Sequence, residues 1–286
     1  MTSPRTDGAD ERAGRSVPGE RSSPGERLRV FFSQSWVCFL GLYGWLTPQV
    51  YVTAKVITPI FQVIFFATVA RYALKLSDVS FYVIGNALIA CHTSAIFGMG
   101  VALRNERAFG TLQLLMAAPT SRFFICAGRS LFYILDGLFT ALVALAAGSL
   151  TFGLGFDGAN LGGFFACALA GAITATCFGL FLGGFGLKVH DVNLILNLAM
   201  YSLLVLSGAN FPIEELPGPV AAVSWALPLT RAIRGARLAY NGAPWATLAP
   251  LAGGELAVGA VYLAAGYLLF SWMELRARRD GAFEFY

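Results

Sequence analysis

Long apolar segments alternate with short polar segments through most of this chain. Six of the apolar segments have about the length, near 20 residues, that a helix needs to cross roughly 30 Å of hydrocarbon. They cover residues 49–70, 80–103, 123–150, 161–187, 192–210 and 246–273. The pattern therefore predicts an all-α polytopic membrane protein with six transmembrane helices.

The segment between the fifth and sixth crossings has a different pattern. Residues 211–245 are too apolar for an ordinary loop, yet four prolines interrupt them: Pro212, Pro217, Pro219 and Pro228. Two pieces, 220–227 and 230–240, are each too short to span a bilayer at about 1.5 Å per residue. We expect external re-entrant helices here, packed against protein, or short helices on the outer face.

The N-terminal region differs from the rest in composition. Residues 1–27 are rich in Arg, Glu, Ser, Pro and Gly and contain no apolar stretch, which predicts a disordered tail without a cleavable signal peptide. Residues 28–46 mix aromatic anchors with the polar run Ser33, Gln34 and Ser35, as an N-terminal interfacial helix does. A tilted extra span is the alternative for this segment.

Composition excludes a soluble domain and a nucleic-acid-binding protein. Hydrophobic residues make up 57% of the chain and charged residues 13%, about half the charged fraction of a soluble domain. The net charge of +4 comes from arginines beside the spans, without a basic cluster that could hold nucleic acid. The five cysteines are odd in number and lack a CxxC spacing, so neither a disulfide framework nor a metal site is indicated.

Basic residues set the predicted orientation. With six crossings and both termini in the cytoplasm, fourteen of the twenty Lys and Arg residues lie inside and five outside, as the positive-inside rule requires. Residues 276–286, which begin with three arginines in four positions, form a second cytoplasmic tail. We expect a multi-pass protein of the bacterial cell membrane.

A charged and polar stretch, residues 104–115, separates the second and third crossings and therefore lies at the cytoplasmic face. The stretch has the features of a short structured unit. It contains opposite charges, a glycine that permits a tight bend, a threonine that can cap a helix, and apolar side chains after the threonine. Six residues carry this interpretation: Glu106, Arg107, Gly110, Thr111, Leu112 and Leu115.

Two motifs resemble those of a known family. Residues 106–122 read ERAFGTLQLLMAAPTSR and resemble the ERxxGTLxxLxxxPxSR segment of ABC type-2 exporter permeases. LSGANFPIEELP at 206–217, followed by WALPLT at 225–230 and by Arg237, resembles a second pattern of that family. The motifs occur in the expected order and on the expected sides of the membrane.

The resemblance implies an ABC type-2 transmembrane domain over residues 28–275 and an ATP-driven export function. The loop at 104–115 would then be the coupling helix that docks on a cytoplasmic ABC ATPase subunit. It also implies a second permease, either a copy of this chain or a related one. This chain is not expected to be an enzyme by itself, because none of its three lysines stands in a Gly-Lys-Ser/Thr phosphate-binding arrangement. ATP and Mg²⁺ are expected on the partner; drugs, antibiotics, lipid-linked glycans and polysaccharides remain open as substrates.

Three charged residues lie within predicted spans: Lys55, Asp136 and Glu255. Charges at such positions mark transport pathways or polar locks between helices, so all three are candidates for a translocation path. Asp136 lies about thirteen residues into its span, roughly 20 Å by helical rise, while Lys55 is shallower, so direct pairing of the two stays open. These carboxylates also allow an ion-coupled secondary transporter as the alternative function, although the chain shows no internal repeat with paired broken helices.

Arginines repeat every three residues in the piece at 230–240. Arg231, Arg234 and Arg237 would form a basic stripe along one side of a short external helix. Such a stripe could guide an anionic or lipid-linked substrate, or anchor the helix at lipid head groups.

Overall fold

The computed structural model describes residues 47–108, 122–185 and 191–279, together with Ser33. Within these ranges the chain is helical and contains no strand. Eight helices follow in order: α1 Pro48–Ala73, α2 Ser80–Ala108, α3 Arg122–Phe152, α4 Leu161–Phe185, α5 Val192–Leu206, α6 Gly218–Ala226, α7 Thr230–Tyr240 and α8 Trp245–Arg279. A short 3-10 turn, Ile213–Glu215, precedes α6.

The all-α polytopic membrane fold predicted from the pattern is confirmed. Five of the described helices, α1, α2, α3, α4 and α8, are long and apolar enough to cross a membrane. Helix α5 is equally apolar but has only 15 residues, about 22 Å of helix. The count of six crossings and the re-entrant placement of α6 and α7 therefore stay predictions.

Helix α1 is not a regular α-helix throughout. Two π-helical turns, Thr53–Ile57 and Val69–Ala73, interrupt it. The first ends two residues before Pro59, whose missing N–H already breaks the regular hydrogen-bond ladder. Thr58 closes the wide turn with both its backbone N–H and its hydroxyl, each donated to the carbonyl of Thr53.

Helices α2 and α4 form the buried centre of the molecule. They approach so closely that a Cβ atom at Gly179 would lie 2.9 Å from the carbonyl oxygen of Ile96, and one at Gly183 would lie 2.9 Å from that of Gly100. Small residues at four-residue spacing permit this contact in a bilayer, where apolar side chains alone provide no drive for association. Helices α7 and α8 pack on the other sides of α4.

Large apolar side chains cover the outward faces of α1, α5 and α8. They include Phe61, Phe65, Leu194, Leu198, Val261 and Leu268. Such a surface suits lipid or another membrane subunit, because in water it would be an aggregation site.

Several sequence predictions fall outside the described residues. They are the tail at 1–27, the interfacial helix at 28–46 apart from Ser33, the tip of the loop at 109–121 and the last residues, 280–286. The backbone of α8 remains helical through Arg279, so it includes the first four residues of the predicted C-terminal tail.

Candidate functional site

The predicted ATPase-coupling loop joins two antiparallel helices. Glu106 and Arg107 belong to the last turn of α2, and α3 begins at Arg122. The other four predicted coupling residues lie outside the described part of the chain: Gly110, Thr111, Leu112 and Leu115. A Cβ atom at Gly137 of α3 would stand 2.9 Å from the carbonyl oxygen of Cys91, so α2 and α3 are in close backbone contact. The loop is thus carried by a tightly packed helical hairpin.

A polar cluster lies where α1, α2 and α3 meet; it comprises Tyr51, Lys55, Ser94 and Asp136. The ammonium group of Lys55 stands 2.5 Å from Oδ2 of Asp136. Ser94 donates its hydroxyl to the same oxygen at 2.5 Å, and Tyr51 donates to Oδ1 at 2.8 Å. Lys55 also donates to the Ser94 hydroxyl. The structure therefore brings together two of the three charges predicted to lie within spans.

The pairing corrects the depth estimated from the sequence. Helices α1 and α3 run in the same direction, because Lys55 pairs with Asp136 while Val63 meets Gly148 further along. Lys55 follows the start of α1 by seven residues, and Asp136 follows the start of α3 by fourteen. Helix α3 thus begins about two turns before the level at which α1 begins. Counting from its first residues made Asp136 seem deeper than Lys55.

The charges of this cluster offset each other. Only 1% of the Asp136 side chain is exposed, compared with 19% for Lys55. An isolated carboxylate at such a position would cost several kcal/mol, whereas a paired and hydrogen-bonded carboxylate avoids most of that cost. The pair is held in place by hydroxyl groups from two further positions, and only its cationic member remains within reach of solvent.

Glu255 has a different environment, although the sequence grouped it with Lys55 and Asp136. It is fully buried in α8, and its carboxylate faces the first turn of α7. Three backbone N–H groups donate to it, from Leu229 at 2.7 Å, Arg231 at 3.2 Å and Ala232 at 3.3 Å. A carboxylate at the N-terminal end of a helix accepts hydrogen bonds from the unpaired N–H groups there. It also interacts favourably with the positive end of the helix dipole. Glu255 therefore caps α7 from a neighbouring helix.

The turn between α6 and α7 is strained and needs such support. Leu229 has φ of +89°, which a bulky residue with a Cβ rarely adopts, and Pro228 just before it is buried. Tyr262 of α8 also contacts this turn, donating its hydroxyl to the carbonyl of Ala226 at 3.1 Å. Both contacts lie well within α8 rather than at its end, so the turn rests against the middle of that helix.

Arg237 points into the protein. Its guanidinium donates to the carbonyls of Gly208 at 2.8 Å, Ala209 at 2.8 Å and Phe81 at 2.9 Å, and lies over the Phe81 ring. Burial lowers its pKa to about 9, so it stays protonated at neutral pH. Gly85 makes room for this contact, since a Cβ there would lie 2.7 Å from the guanidinium. Arg237 thus ties α7 to α2 and to the end of α5.

The two other arginines of the predicted stripe lie apart from Arg237. Both stack on Trp225, with guanidinium carbons 5.3 Å (Arg231) and 5.4 Å (Arg234) from the ring centroid. Arg231 also donates to the Trp225 carbonyl at 2.6 Å. Arg234 is about half exposed and lies 3.6 Å from the exposed Glu214. The three guanidinium groups therefore do not share one solvent-facing surface.

The two other prolines named for the predicted re-entrant region, Pro212 and Pro217, each stand immediately before a helix. Pro212 immediately precedes the 3-10 turn Ile213–Glu215, and Pro217 immediately precedes α6. Both have backbone angles of extended chain, with φ near −58° and −53°, which set the direction in which the chain enters each helix.

Sequence reasoning missed several residues that these sites depend on. Tyr51 stands four residues before Lys55 and so on the same helix face, which is a usable signal, whereas Ser94 has no charged residue near it along its helix. Asn86 is fully buried and donates to Asn210 at 2.8 Å, joining α2 to the end of the LSGAN motif. A buried amide in an apolar segment is itself a signal, because it requires a partner.

Comparison with known proteins places this architecture in a family. No curated protein matches the chain. The family described as ABC-2 type transporter matches residues 36–240, which is more than half of the sequence and includes both motifs. The match also covers the polar cluster and α7. The chain belongs to the ABC-2 type transporter family.

Proposed function

We propose that this chain is the membrane permease of an ATP-driven exporter and that a separate cytoplasmic ATPase supplies the energy. The α2–α3 hairpin is the observation that carries this proposal. The ERAFGTL motif begins in the last turn of α2, where two long, closely packed helices end, within the region that matches the ABC-2 family. A short segment held in this way can bind a soluble subunit and transmit its conformational change to the membrane helices.

Six residues form the proposed ATPase-docking segment: Glu106, Arg107, Gly110, Thr111, Leu112 and Leu115. The leucines supply apolar contacts for a groove on the ATPase, and the adjacent charges fix the direction of approach. ATP and Mg²⁺ bind to the ATPase, which carries out hydrolysis.

The proposed assembly contains two permeases and two ATPase subunits in the bacterial cell membrane, with both permease termini in the cytoplasm. The second permease is a copy of this chain or a related one. The outward apolar faces of α1, α5 and α8 support contacts with lipid and with that second permease.

The pairing of the carboxylates supports an exporter over an ion-coupled carrier. Asp136 is bound to Lys55, and Glu255 accepts three backbone N–H groups, so neither carboxylate is free to bind a transported cation. Lys55 and Asp136 stay candidates for the polar lining of the path, since Lys55 is partly exposed. We assign Glu255 to fixing α7.

The test begins with purification of the chain together with an ABC ATPase of the same organism. Drugs, antibiotics and lipid-linked glycans are then screened for stimulation of ATP hydrolysis, and each stimulating compound is assayed for transport into proteoliposomes. A partner ATPase without its catalytic carboxylate is the matched control. Transport should require ATP hydrolysis, and ionophores should not change its rate.

The opposite pattern would overturn the proposal. Transport that stops with an ionophore and continues after ATP depletion would identify an ion-coupled carrier. Failure of every ABC ATPase of the organism to associate with the chain would also contradict the proposal.

A further inference from the structure

The cytoplasmic part of α1 is attached to the protein in an unusual way. The stretch Pro48–Ile57 contains no buried residue, and its apolar side chains Val50, Val52 and Ile57 are exposed. The second half of α1 is different, since Val63, Ala67 and Ala70 are buried against α2 and α3. Among the residues that the structure describes, apolar packing therefore holds only the outer part of α1.

Polar contacts hold the cytoplasmic part instead. Within Pro48–Ile57, the side chains of Tyr51 and Lys55 form hydrogen bonds to another helix. Both donate to the carboxylate of Asp136 on α3. Such contacts are directional: they exist in one arrangement and are lost after a small rotation, whereas apolar packing changes gradually.

The π-helical turn offers a simple geometric route by which this part of α1 could rotate. Lys55 lies at the centre of the turn Thr53–Ile57. A π turn holds one residue more than the corresponding α turn, so converting it to α geometry rotates the preceding residues by about 100°. That rotation would remove Tyr51 from Asp136 while the packed half of α1 stayed in place.

The cluster also joins α1 to both helices that flank the loop at 109–121. Ser94 lies fourteen residues before the end of α2, and Asp136 lies fourteen residues after the start of α3. Both therefore stand about 21 Å from the loop-side ends of their helices. A displacement of the α2–α3 hairpin would therefore be transmitted to Lys55 through Ser94 and Asp136, which lie at the same distance from the loop.

We propose that Lys55, Ser94 and Asp136 are positioning residues that fasten the cytoplasmic part of α1 to the α2–α3 hairpin and transmit displacement of the ATPase-docking loop to α1. This inference rests on the proposed function. It assigns the cluster to the coupling of ATP hydrolysis with transport, beyond a purely stabilising role.

The experiment uses the complex with its ATPase in lipid nanodiscs and needs no substrate. In a variant with the five native cysteines replaced by alanine, Thr53→Cys places one thiol in the π turn. The rate of its reaction with a maleimide is measured without nucleotide and with ATP plus vanadate. The same measurement follows in K55M, in K55L/D136L and in the charge-swapped K55D/D136K.

Nucleotide should change the labelling rate when the cluster is intact. K55M and K55L/D136L should lose this change while the ATPase remains bound, and K55D/D136K should regain it. The double leucine variant matters because apolar replacement of both members of a buried ion pair is often neutral for stability, whereas removal of one member leaves an unpaired charge. Lys75→Met, the same chemical change in the exposed turn after α1, is the control and should keep the nucleotide response.

An unchanged nucleotide response in K55L/D136L would overturn the inference, because α1 would then be moved without the cluster. Absence of a response in the intact complex would overturn it as well, while leaving the proposed function standing. Failure of the ATPase to bind the intact chain would instead overturn the proposed function and this inference with it.

Discussion

The carboxylate of Glu255, on α8, accepts the backbone N–H of Leu229 at 2.7 Å, although Leu229 lies in the turn between α6 and α7. Leu229 has a positive φ, and Glu255 is fully buried. A strained turn persists when its surroundings fix it, and here a buried carboxylate does so. The strained turn before α7 is therefore stabilised by a side chain of α8.

Removal of this carboxylate should destabilise the protein. Glu255→Ala leaves three backbone N–H groups without their acceptor, and each buried unsatisfied donor costs about 1–3 kcal/mol. Glu255→Gln should have a smaller effect, since the amide oxygen can still accept from Leu229. The unfolding temperatures of the purified Glu255→Ala and Glu255→Gln variants measure the two effects. Glu214→Ala, at an exposed position, is the control. Equal unfolding temperatures for Glu255→Ala and Glu214→Ala would show that the cap is dispensable.

Arg237 should not tolerate replacement by lysine. Its planar guanidinium reaches three carbonyl groups on two segments, and an ammonium group cannot reproduce that geometry. Arg237→Lys should lower the unfolding temperature by several degrees, whereas the half-exposed Arg234→Lys should leave it nearly unchanged. A small effect in both would assign Arg237 to the surface role first expected for the arginine stripe.

Two glycine substitutions should act in opposite directions. Gly85→Ala places a Cβ 2.5 Å from the Ala209 carbonyl oxygen, which forces backbone or Arg237 to move and should reduce stability. Gly253→Ala in α8 meets nothing within 4 Å and gains up to about 1 kcal/mol of helix propensity. The comparison uses thermal unfolding of the two variants. If Gly85→Ala were as stable as Gly253→Ala, the tight contact at Gly85 would be refuted.

Helix positions could be predicted from the sequence because apolar length and proline placement act locally. Helix α7 begins at Thr230 and ends at Tyr240, as expected from the pattern, and α1 differs from its predicted bounds by only a few residues. Each of these limits has a signal in the neighbouring sequence, such as Pro228 before α7 and the charged turn after α1.

The partners of each charge could not be predicted in the same way. Lys55 and Asp136 are 81 positions apart, and Arg237 meets Phe81 across 156 positions. Pairing across such distances depends on which helices are adjacent and on their relative levels, which hydropathy does not encode. The three-residue spacing of the arginines likewise gave their positions along α7 but not the close approach of α2, which covers part of Arg237.

The measurement that tests the central claim most directly compares ATP hydrolysis and transport in one reconstituted complex. It uses the parent chain and the double variant Glu106→Ala, Gly110→Val, each assembled with the ATPase and supplied with a compound that stimulates hydrolysis. We predict that the variant inserts into the membrane and that its complex still hydrolyses ATP, but that transport is lost because the docking segment no longer passes motion to α2 and α3. Unchanged transport by the double variant would contradict the account.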